Sequence, residues 1–495
     1  MQMAANTLEM RELTRRRRVS VQLEQELQAR GVAQAIVFVD SSQGAAAGAA
    51  TAAAANVLSA IDDVDIVSCF VKDERSISAS LSSASLGAAS VSTAAAAGGR
   101  ARARASRRSY RETPVVRKFP SLGIILGDVH SDGVERLAEN GRVRYVASSL
   151  ALSLVRPVKV AAANPRPNTT TWGIDKLEIP KMWAAGLRGN GVRVGHLDTG
   201  VDANHPALRG AVGGYLFTDN EGFGVPEQTA FDTGEHGTHT AGTIAGRPVD
   251  GRSIGVAPAA MLYSSTVIEF GNVVARILTG LDWAASQGIK VLSMSLGLRG
   301  YHDDFRELMS TLRGRGILPV IAVGNEGPGT SRSPGNYEIV LSVGACDATP
   351  SVADFSSSQW FARPSDPLVP DLVAPGVDVI SAKPGGGYQS MDGSSMATPH
   401  IAGLAALLWQ AMPSASVAQI ESAIQNSCVL GAMPHDRANR GLPNGPRAFR
   451  LLTGSDLPVP SAPRPVTTRA RKAKKKTATS RRAPKRVARR AAKKK

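Results

Sequence analysis

Three short segments of the sequence carry residue types that can attack an electrophile or move a proton. Asp198 ends an apolar run in VGHLDTG, His236 begins HGTHTAGTIAG, and Ser395 lies within MDGSSMATPH. An aspartate at the carboxyl end of a strand lies where open α/β sheets place functional groups. A serine in the first turn of a helix has a backbone N–H that can bind an anion, assisted by the helix dipole. Each residue, taken alone, also fits an ordinary helix cap or turn.

A zinc site is a weaker interpretation of the same histidines. His236 and His239 are three residues apart and can share one face of a helix. No carboxylate stands between them as in HExxH, and the three cysteines of the chain are scattered. We therefore expect no metal among the site residues, and the odd, sparse cysteine count excludes a disulfide scaffold.

The elements that must position these residues follow an α/β pattern. From Trp172 onward, apolar runs of four to eight residues alternate with helical stretches, which is typical of a mainly parallel, doubly wound sheet covered on both faces. Before it, alternating patterns with helical stretches predict a small α+β ferredoxin-like domain, with strands expected at 65–71 and 143–155. The predicted segments are a charged leader at 1–32, a ferredoxin-like domain at 33–158 with a low-complexity insertion at 76–111, a linker at 159–171, the large domain at 172–452, and a Pro-rich linker with a basic disordered tail at 453–495.

Taken together, the motifs resemble those of the subtilisin-like serine peptidases, the subtilase or S8 family. The matching strings are LDTG, HGTHTAG and GSSMATPH, in the chain order Asp, His, Ser that subtilisin has. AVGNEG, which contains Gly324 and Asn325, resembles the oxyanion segment of the family, and Ser295-Leu296-Gly297 resembles its substrate-binding strand. The resemblance covers roughly Trp172 to Leu452 and implies the subtilisin-like fold.

The resemblance also implies a mechanism. Ser395 would attack the scissile carbonyl of a polypeptide, His236 would accept and return the proton, and Asp198 would orient the imidazole. Asn325 and the Ser395 N–H would bind the oxyanion of an acyl-transfer intermediate. Ser295, Leu296, Gly297 and Gly324 would bind the substrate main chain as an added strand. The implied activity is that of a serine endopeptidase with polypeptide substrates.

The N-terminal domain resembles the propeptides of the same family. Gly133–Tyr145, GVERLAENGRVRY, is similar to the end of such a propeptide. The resemblance implies a zymogen, and we expect self-processing within about Val155–Thr171. An unrelated small domain is the alternative.

Two departures from the family pattern concern the site. His196 stands two residues before Asp198, where the family usually has an apolar residue, so it is either a core histidine or a group that tunes Asp198. The strong calcium site of the family needs an acid and an Asn where this chain has Ala207 and Pro248-Val249. We therefore expect no cofactor, although calcium at some other site stays open.

The net charge of +17 is concentrated at one end of the chain. Residues 464–495 contain 16 Lys and Arg and no acid, whereas residues 172–452 contain 20 basic and 25 acidic residues. Such a tail predicts disorder and binding to nucleic acid or another polyanion through counterion release. The alternative function is therefore a polyanion-binding protein with an inactive subtilase fold.

The sequence shows neither a secretory signal nor a transmembrane segment. The N-terminal residues lack an apolar core, and the uncharged stretch at 77–99 is too rich in Ser, Ala and Gly to span a bilayer. A cytoplasmic location is the default expectation, with unconventional export left open.

Overall fold

The structure is a computed structural model that describes residues 18–40, 61–71, 116–225, 229–362 and 365–458. The predicted insertion at 76–111 and the basic residues 464–495 lie outside these ranges, so the predictions made for them stay predictions. Within the described ranges, no helix is both long and apolar enough to cross a bilayer.

The N-terminal unit is a four-stranded antiparallel sheet with helices on one face. The strand order is β2-β3-β1-β4, which is that of a split βαβ arrangement. Helix α1 begins after Ser20, whose side chain accepts the Leu23 N–H as an N-cap. The elements are α1 Val21–Arg30, β1 Ala33–Val39, α2 Val64–Val67, β2 Val116–Phe119, β3 Ile124–Val129, α3 Ser131–Glu139 and β4 Val143–Ser148.

Three predictions for this unit differ from the structure. The expected strand at 65–71 is helix α2, because the Asp63 side chain accepts the Asp65 N–H and so starts a helical turn. The expected strand at 143–155 ends at Ser148. Helix α1 lies in the predicted leader, yet its Leu23 and Leu27 are buried against the sheet.

Residues 153–163 link the two parts of the chain as two short strands. They are β5, Ser153–Leu154, and β6, Lys159–Ala163. Each pairs with the large domain, so the start of the predicted linker 159–171 is a strand.

The large domain is built on an eight-stranded sheet of order β18-β15-β13-β11-β7-β10-β8-β9, parallel except for the β8–β9 pair. The structure therefore has the predicted doubly wound, mainly parallel α/β fold. Its helices are α4 Trp172–Lys176, α5 Ile179–Ala184, α6 His236–Ala245, α7 Val273–Ser286, α8 Arg306–Gly314, α9 Ser394–Ala411, α10 Val417–Asn426, α11 His435–Ala438 and α12 Gly445–Thr453. Its strands are β7 Arg193–Asp198, β8 Val212–Thr218, β9 Gly224–Val225, β10 Met261–Thr266, β11 Val291–Met294, β12 Leu296–Arg299, β13 Leu318–Ala322, β14 Arg332–Ser333, β15 Leu341–Cys346, β16 Gln359–Trp360, β17 Leu368–Val369, β18 Leu372–Pro375, β19 Val379–Ala382 and β20 Tyr388–Asp392.

Two apolar cores lie on opposite faces of this sheet. Helices α6 and α9 contribute to one core, and α9 is buried on all sides from Ser394 to Trp409, as expected of a helix that is apolar all round. Helices α7 and α8 contribute to the other core. That second core also includes Ile36, Phe38 and Leu126 of the N-terminal sheet, so the small unit packs on these two helices.

Two carboxylates, one half-buried and one fully buried, bind backbone N–H groups across this contact. Asp282 on α7 accepts the Leu122 N–H at 3.0 Å, and Asp304 accepts the Ser148 N–H at 2.9 Å. Burial raises the pKa of Asp282 to about 6, against the opposing effect of the Leu122 N–H, and it also raises the pKa of Asp304. The Asp282 carboxyl therefore binds a proton between about pH 4 and pH 6, where a free aspartate is already ionised.

We expect this pKa shift to make stability depend on pH. An acid with a raised folded-state pKa contributes most below its unfolded value of about 4, and that contribution is lost as pH rises to about 6. Asp282→Asn removes the titration, so the Tm of the variant minus that of the native protein should rise between pH 4 and pH 7. Calorimetry on the uncut Ser395→Ala chain, with and without Asp282→Asn, measures this difference. An equal difference at the two pH values would contradict the prediction.

Candidate active site

Asp198 and His236 form a buried pair at the carboxyl edge of the sheet. Asp198 is the last residue of β7, and His236 is the first residue of α6. His236 Nδ1 lies 2.7 Å from Asp198 Oδ1 and 2.9 Å from Oδ2. Because an ionised carboxylate can only accept, this contact places the proton on Nδ1 and leaves Nε2 as the free acceptor. Nε2 is buried and has no hydrogen-bond partner among the described residues.

Further donors stabilise the ionised form of Asp198. The Thr199 N–H donates to Oδ1 at 2.7 Å, and the Thr240 hydroxyl donates to Oδ2 at 3.1 Å. Burial by itself raises the pKa of Asp198, but the charge and hydrogen bond of His236 outweigh it, so the pKa lies below its usual value. The carboxylate is therefore ionised at neutral pH although it is buried.

His196 reaches Asp198 through Thr240. Its Nε2 lies 2.8 Å from Thr240 Oγ1, and its Nδ1 lies 2.9 Å from Ser264 Oγ. Burial lowers the pKa of His196 more than the Asp198 charge raises it, so the ring is neutral. If Nε2 donates to Thr240, the threonine hydroxyl is directed toward Asp198. His196 is therefore a hydrogen-bonded core histidine, and its role in tuning Asp198 stays a prediction.

Ser395 and Asn325 meet across Gly393. Gly393 has no Cβ, and a Cβ built at its position would lie 2.8 Å from Ser395 Oγ and 3.1 Å from Asn325 Nδ2. Both atoms therefore border the same small space beside Gly393. Ser395 is the second residue of α9, and its hydroxyl contacts Met396 Sδ at 3.4 Å rather than the imidazole. Ser394 donates to Asn325 Oδ1 from both its N–H and its hydroxyl, at 2.8 Å each. This fixes the amide so that Nδ2 faces the cleft.

The predicted substrate-binding residues line a channel that the chain itself occupies. Leu296 and Gly297 pair antiparallel with Leu154 and Ser153, and Ser295 O accepts the Val155 N–H at 2.9 Å. Gly324, at φ 122°, donates its N–H to the Ser394 hydroxyl oxygen at 3.3 Å and so adjoins the serine turn. The structure thus brings Ser295, Leu296, Gly297 and Gly324 to the same cleft as Ser395 and Asn325. Asp198 and His236 lie on the neighbouring elements β7 and α6, against which α9 packs.

The occupying segment continues past the serine and pairs with the opposite wall. Asn325 Nδ2 donates to the Arg156 carbonyl at 2.9 Å, and the Val158 N–H donates to Asp392 O at 2.8 Å. Strand β6 then pairs antiparallel with β20. An extended chain therefore crosses the whole cleft, with the Arg156 carbonyl at the amide of Asn325.

Two further histidines of the motifs serve the packing. His239 Nε2 lies 2.9 Å from Val379 O, and His400 Nδ1 lies 2.8 Å from Met396 O. Burial lowers the pKa of His239 to about 3 and that of His400 to about 4, so both are neutral.

The loop that carries the family's calcium site is bound differently here. Ala207 is buried and its carbonyl accepts the Arg247 N–H. The Arg247 guanidinium donates to the carbonyls of Ala245, Gly210 and Pro258 at 3.1, 2.7 and 2.8 Å. Because these oxygens already have a cationic donor, we expect Arg247 rather than a calcium ion to bind them. Among the described residues, no group of three or more His, Cys, Asp or Glu side chains could hold a metal ion.

Comparison with known proteins agrees with this geometry. Residues 189–454 match the subtilase family, peptidase S8. The chain is 34% identical over 318 residues to M-protease of Shouchella clausii (strain KSM-K16), which covers 64% of this chain and 77% of that protein. It is 39% identical over 258 residues to Subtilisin Savinase of Lederbergia lenta, covering 52% of this chain and 90% of that protein. It is 34% identical over 294 residues to the Major intracellular serine protease of Bacillus subtilis (strain 168), covering 57% and 88%.

The matched region exceeds half of the chain, and the chain belongs to the subtilase family. It is a serine-type endopeptidase, a hydrolase that acts on polypeptides. The family prediction made from the motifs is confirmed. Sequence reasoning missed Thr240 and Ser394, which lie inside the matched motifs but whose contacts with Asp198 and Asn325 depend on the fold.

Removing the Thr240 hydroxyl should slow catalysis. A hydrogen bond to a charged group contributes about 1.5–3 kcal/mol, part of which acts on the reaction. We expect Thr240→Val to lower kcat about tenfold, whereas Thr240→Ser retains the hydroxyl and most of the activity. Steady-state kinetics with a peptide substrate measures the ratio, and thermal unfolding checks that each variant is folded. Equal kcat values for the two variants would contradict this role.

Arg247, rather than a metal ion, should stabilise its loop. We expect EDTA to leave the Tm of the inhibited enzyme within about 1 °C of its starting value. Arg247→Met leaves three carbonyls without their donor and should destabilise the protein by about 2 kcal/mol. Differential scanning fluorimetry measures both effects. A large loss of stability with EDTA, reversed by calcium, would contradict the assignment.

Proposed function

We propose that the protein is a self-processed serine endopeptidase in which Asp198, His236 and Ser395 form the catalytic triad. The observation that carries the proposal is the Arg156 carbonyl, held at 2.9 Å by Asn325 Nδ2 beside the Ser395 hydroxyl. A carbonyl so placed is where a substrate carbonyl must lie for attack by Oγ and for stabilisation of the developing oxyanion.

In the first step, Ser395 turns its hydroxyl from Met396 toward His236 Nε2 and attacks the carbonyl carbon. His236 takes the proton as general base and returns it to the leaving nitrogen as general acid. Asp198 holds the Nδ1 proton and stabilises the imidazolium that forms. Water then attacks the acyl-enzyme by the same route in reverse, which releases the second product and restores the serine.

The oxyanion acquires two donors. One is Asn325 Nδ2, whose orientation Ser394 fixes, and the other is the Ser395 N–H in the first turn of α9. The dipole of this buried 18-residue helix adds positive potential at the same point. Removal of one such donor typically lowers kcat by about 10²–10³.

The N-terminal unit acts as a propeptide in this proposal. Its sheet packs on α7 and α8, and the segment that follows it fills the cleft on both sides of the serine. A substrate cannot pair with β12 or β20 while this segment is in place. The uncut chain is therefore a zymogen, and activation requires a cut within about Val155–Thr171.

The bond that lies at Asn325 joins Arg156 to Pro157. The proline ring carbon takes the place of the amide hydrogen and crowds the leaving nitrogen. This favours slow cleavage at that bond, so the segment resembles an inhibitor more than a good substrate.

The direct test is Ser395→Ala. We expect this variant to stay full length because it has no nucleophile, and we expect a fluorophosphonate probe to label the processed native protein at Ser395 and the variant not at all. Ser422→Ala, an exposed serine on α10, is the control and should be processed and labelled normally. Mass spectrometry of the N-terminus locates the cut. Processing of Ser395→Ala at the same bond, in protein purified away from other proteases, would refute self-cleavage.

A further inference from the structure

Two basic side chains of the occupying segment meet acidic side chains of the cleft. Arg156 Nη2 lies 2.7 Å from Glu269 Oε2. Lys159, three residues further along, lies 2.8 Å from Asp378 Oδ1 and 3.9 Å from Asp392 Oδ2. The two ion pairs lie on opposite sides of the bond that Asn325 holds, so the charges of the cleft match those of the chain that crosses it.

Glu269 is placed for this contact at the expense of its backbone. Its φ is 91°, in the region that favours glycine and that a non-glycine residue rarely adopts. Such backbone conformations cluster at functional sites, and the Glu269 carboxylate contacts the segment that fills the cleft. Within the described part of the chain, the Glu269 side chain forms no ion pair or side-chain hydrogen bond other than those with Arg156. When the segment leaves, this carboxylate is left without a partner.

Asp378 is arranged in a similar way. Its φ is 48°, and its N–H donates to Asp392 Oδ1 at 2.6 Å, which holds the two carboxylates close to each other. The ion pair with Lys159 raises the lysine pKa above its usual value. Two neighbouring carboxylates thus face the chain on the side of the cleft beyond the reacting bond.

The remaining carboxylate beside Asn325 is already neutralised. Glu326 is bound by the guanidinium of Arg332 and lies 3.3 Å from Arg299. Burial raises the pKa of Glu326, but these two arginines outweigh that effect and lower it overall. Its charge is therefore held within the pocket wall, in contrast to that of Glu269.

We propose that the cleft prefers polypeptides with a basic residue immediately before the cut bond and a second basic residue three positions further on. Glu269 recognises the first and Asp378 the second. The inference rests on the proposed function and adds a substrate class to it. Both ion pairs are partly exposed, with Arg156 at 71% and Glu269 at 26%, so each adds a few-fold preference that salt weakens.

Peptide hydrolysis tests this preference. The probe is an internally quenched peptide with the sequence of residues 154–159 and alanine in place of Pro157, compared with peptides carrying Gln for the Arg or Gln for the Lys. For the processed native enzyme we expect kcat/KM to fall about three- to fivefold with either Gln peptide at low salt, and about twofold at 0.5 M NaCl. In the Glu269→Gln variant, the ratio of kcat/KM for the Arg peptide to that for its Gln counterpart should approach one, while the ratio for the Lys peptide and its Gln counterpart persists. In the Asp378→Asn variant, the Lys ratio should approach one and the Arg ratio should persist.

Glu178→Gln is the matched control, because Glu178 forms an exposed ion pair with Lys181 away from the cleft. It should keep both ratios of the native enzyme. A native enzyme that cuts the Arg and Gln peptides equally, or a Glu269→Gln variant that keeps the full Arg preference, would overturn the proposal.

A second readout needs no catalysis and so separates this inference from the proposed activity. In the uncut Ser395→Ala chain, hydrogen exchange at the Val155 and Val158 amides reports how firmly the segment is bound. We expect exchange to be about threefold faster when Glu269→Gln or Asp378→Asn is added, and unchanged with Glu178→Gln. Equal rates in all four proteins would overturn the assignment even if every other prediction for the triad held.

Discussion

The buried carboxylate of Asp198 is the constraint around which the site is built. A charge that is removed from water must be compensated by hydrogen bonds or an opposite charge. Here the compensation comes from three groups: the Thr199 N–H at the end of β7, and the His236 ring and the Thr240 hydroxyl, both on α6. These requirements fix the start of α6 against the carboxyl edge of the sheet. They also fix the tautomer of His236 and leave its second nitrogen as a buried acceptor without a hydrogen-bond partner among the described residues.

A second constraint is that the cleft walls are strand edges. The edge of β12 and that of β20 each present backbone groups that must be paired or hydrated. In the uncut chain, β5 and β6 satisfy both edges, and they do so with the same antiparallel pairing that a substrate would use. In the proposed zymogen, inhibition and substrate binding are therefore one interaction with different occupants. This explains why the occupying segment reports on what the cleft accepts, including its charges.

The sequence singled out the candidate site residues, whereas it did not predict several of the local elements around them. Asp198, His236, Ser395 and Asn325 lie in short motifs whose residue types are dictated by close packing and by the reaction. Thr240 and Ser394 are in the same motifs, but their partners come from elsewhere in the chain, so their contacts require the fold. Nothing in the sequence around Glu269 indicated a role in binding, because only the fold brings its partner Arg156 across the cleft. The expected strand at 65–71 failed because apolar alternation does not register a local N-cap such as Asp63.

The proposed mechanism requires Ser395, His236 and Asn325 to converge on one substrate carbonyl. A crystal structure of the processed enzyme with a peptide aldehyde ending in an arginine aldehyde tests it most directly. We expect a covalent bond from Ser395 Oγ to the aldehyde carbon, with the resulting oxygen within hydrogen-bond distance of Asn325 Nδ2 and of the Ser395 N–H. An aldehyde that is bound without that bond, or whose oxygen points away from Asn325, would contradict it.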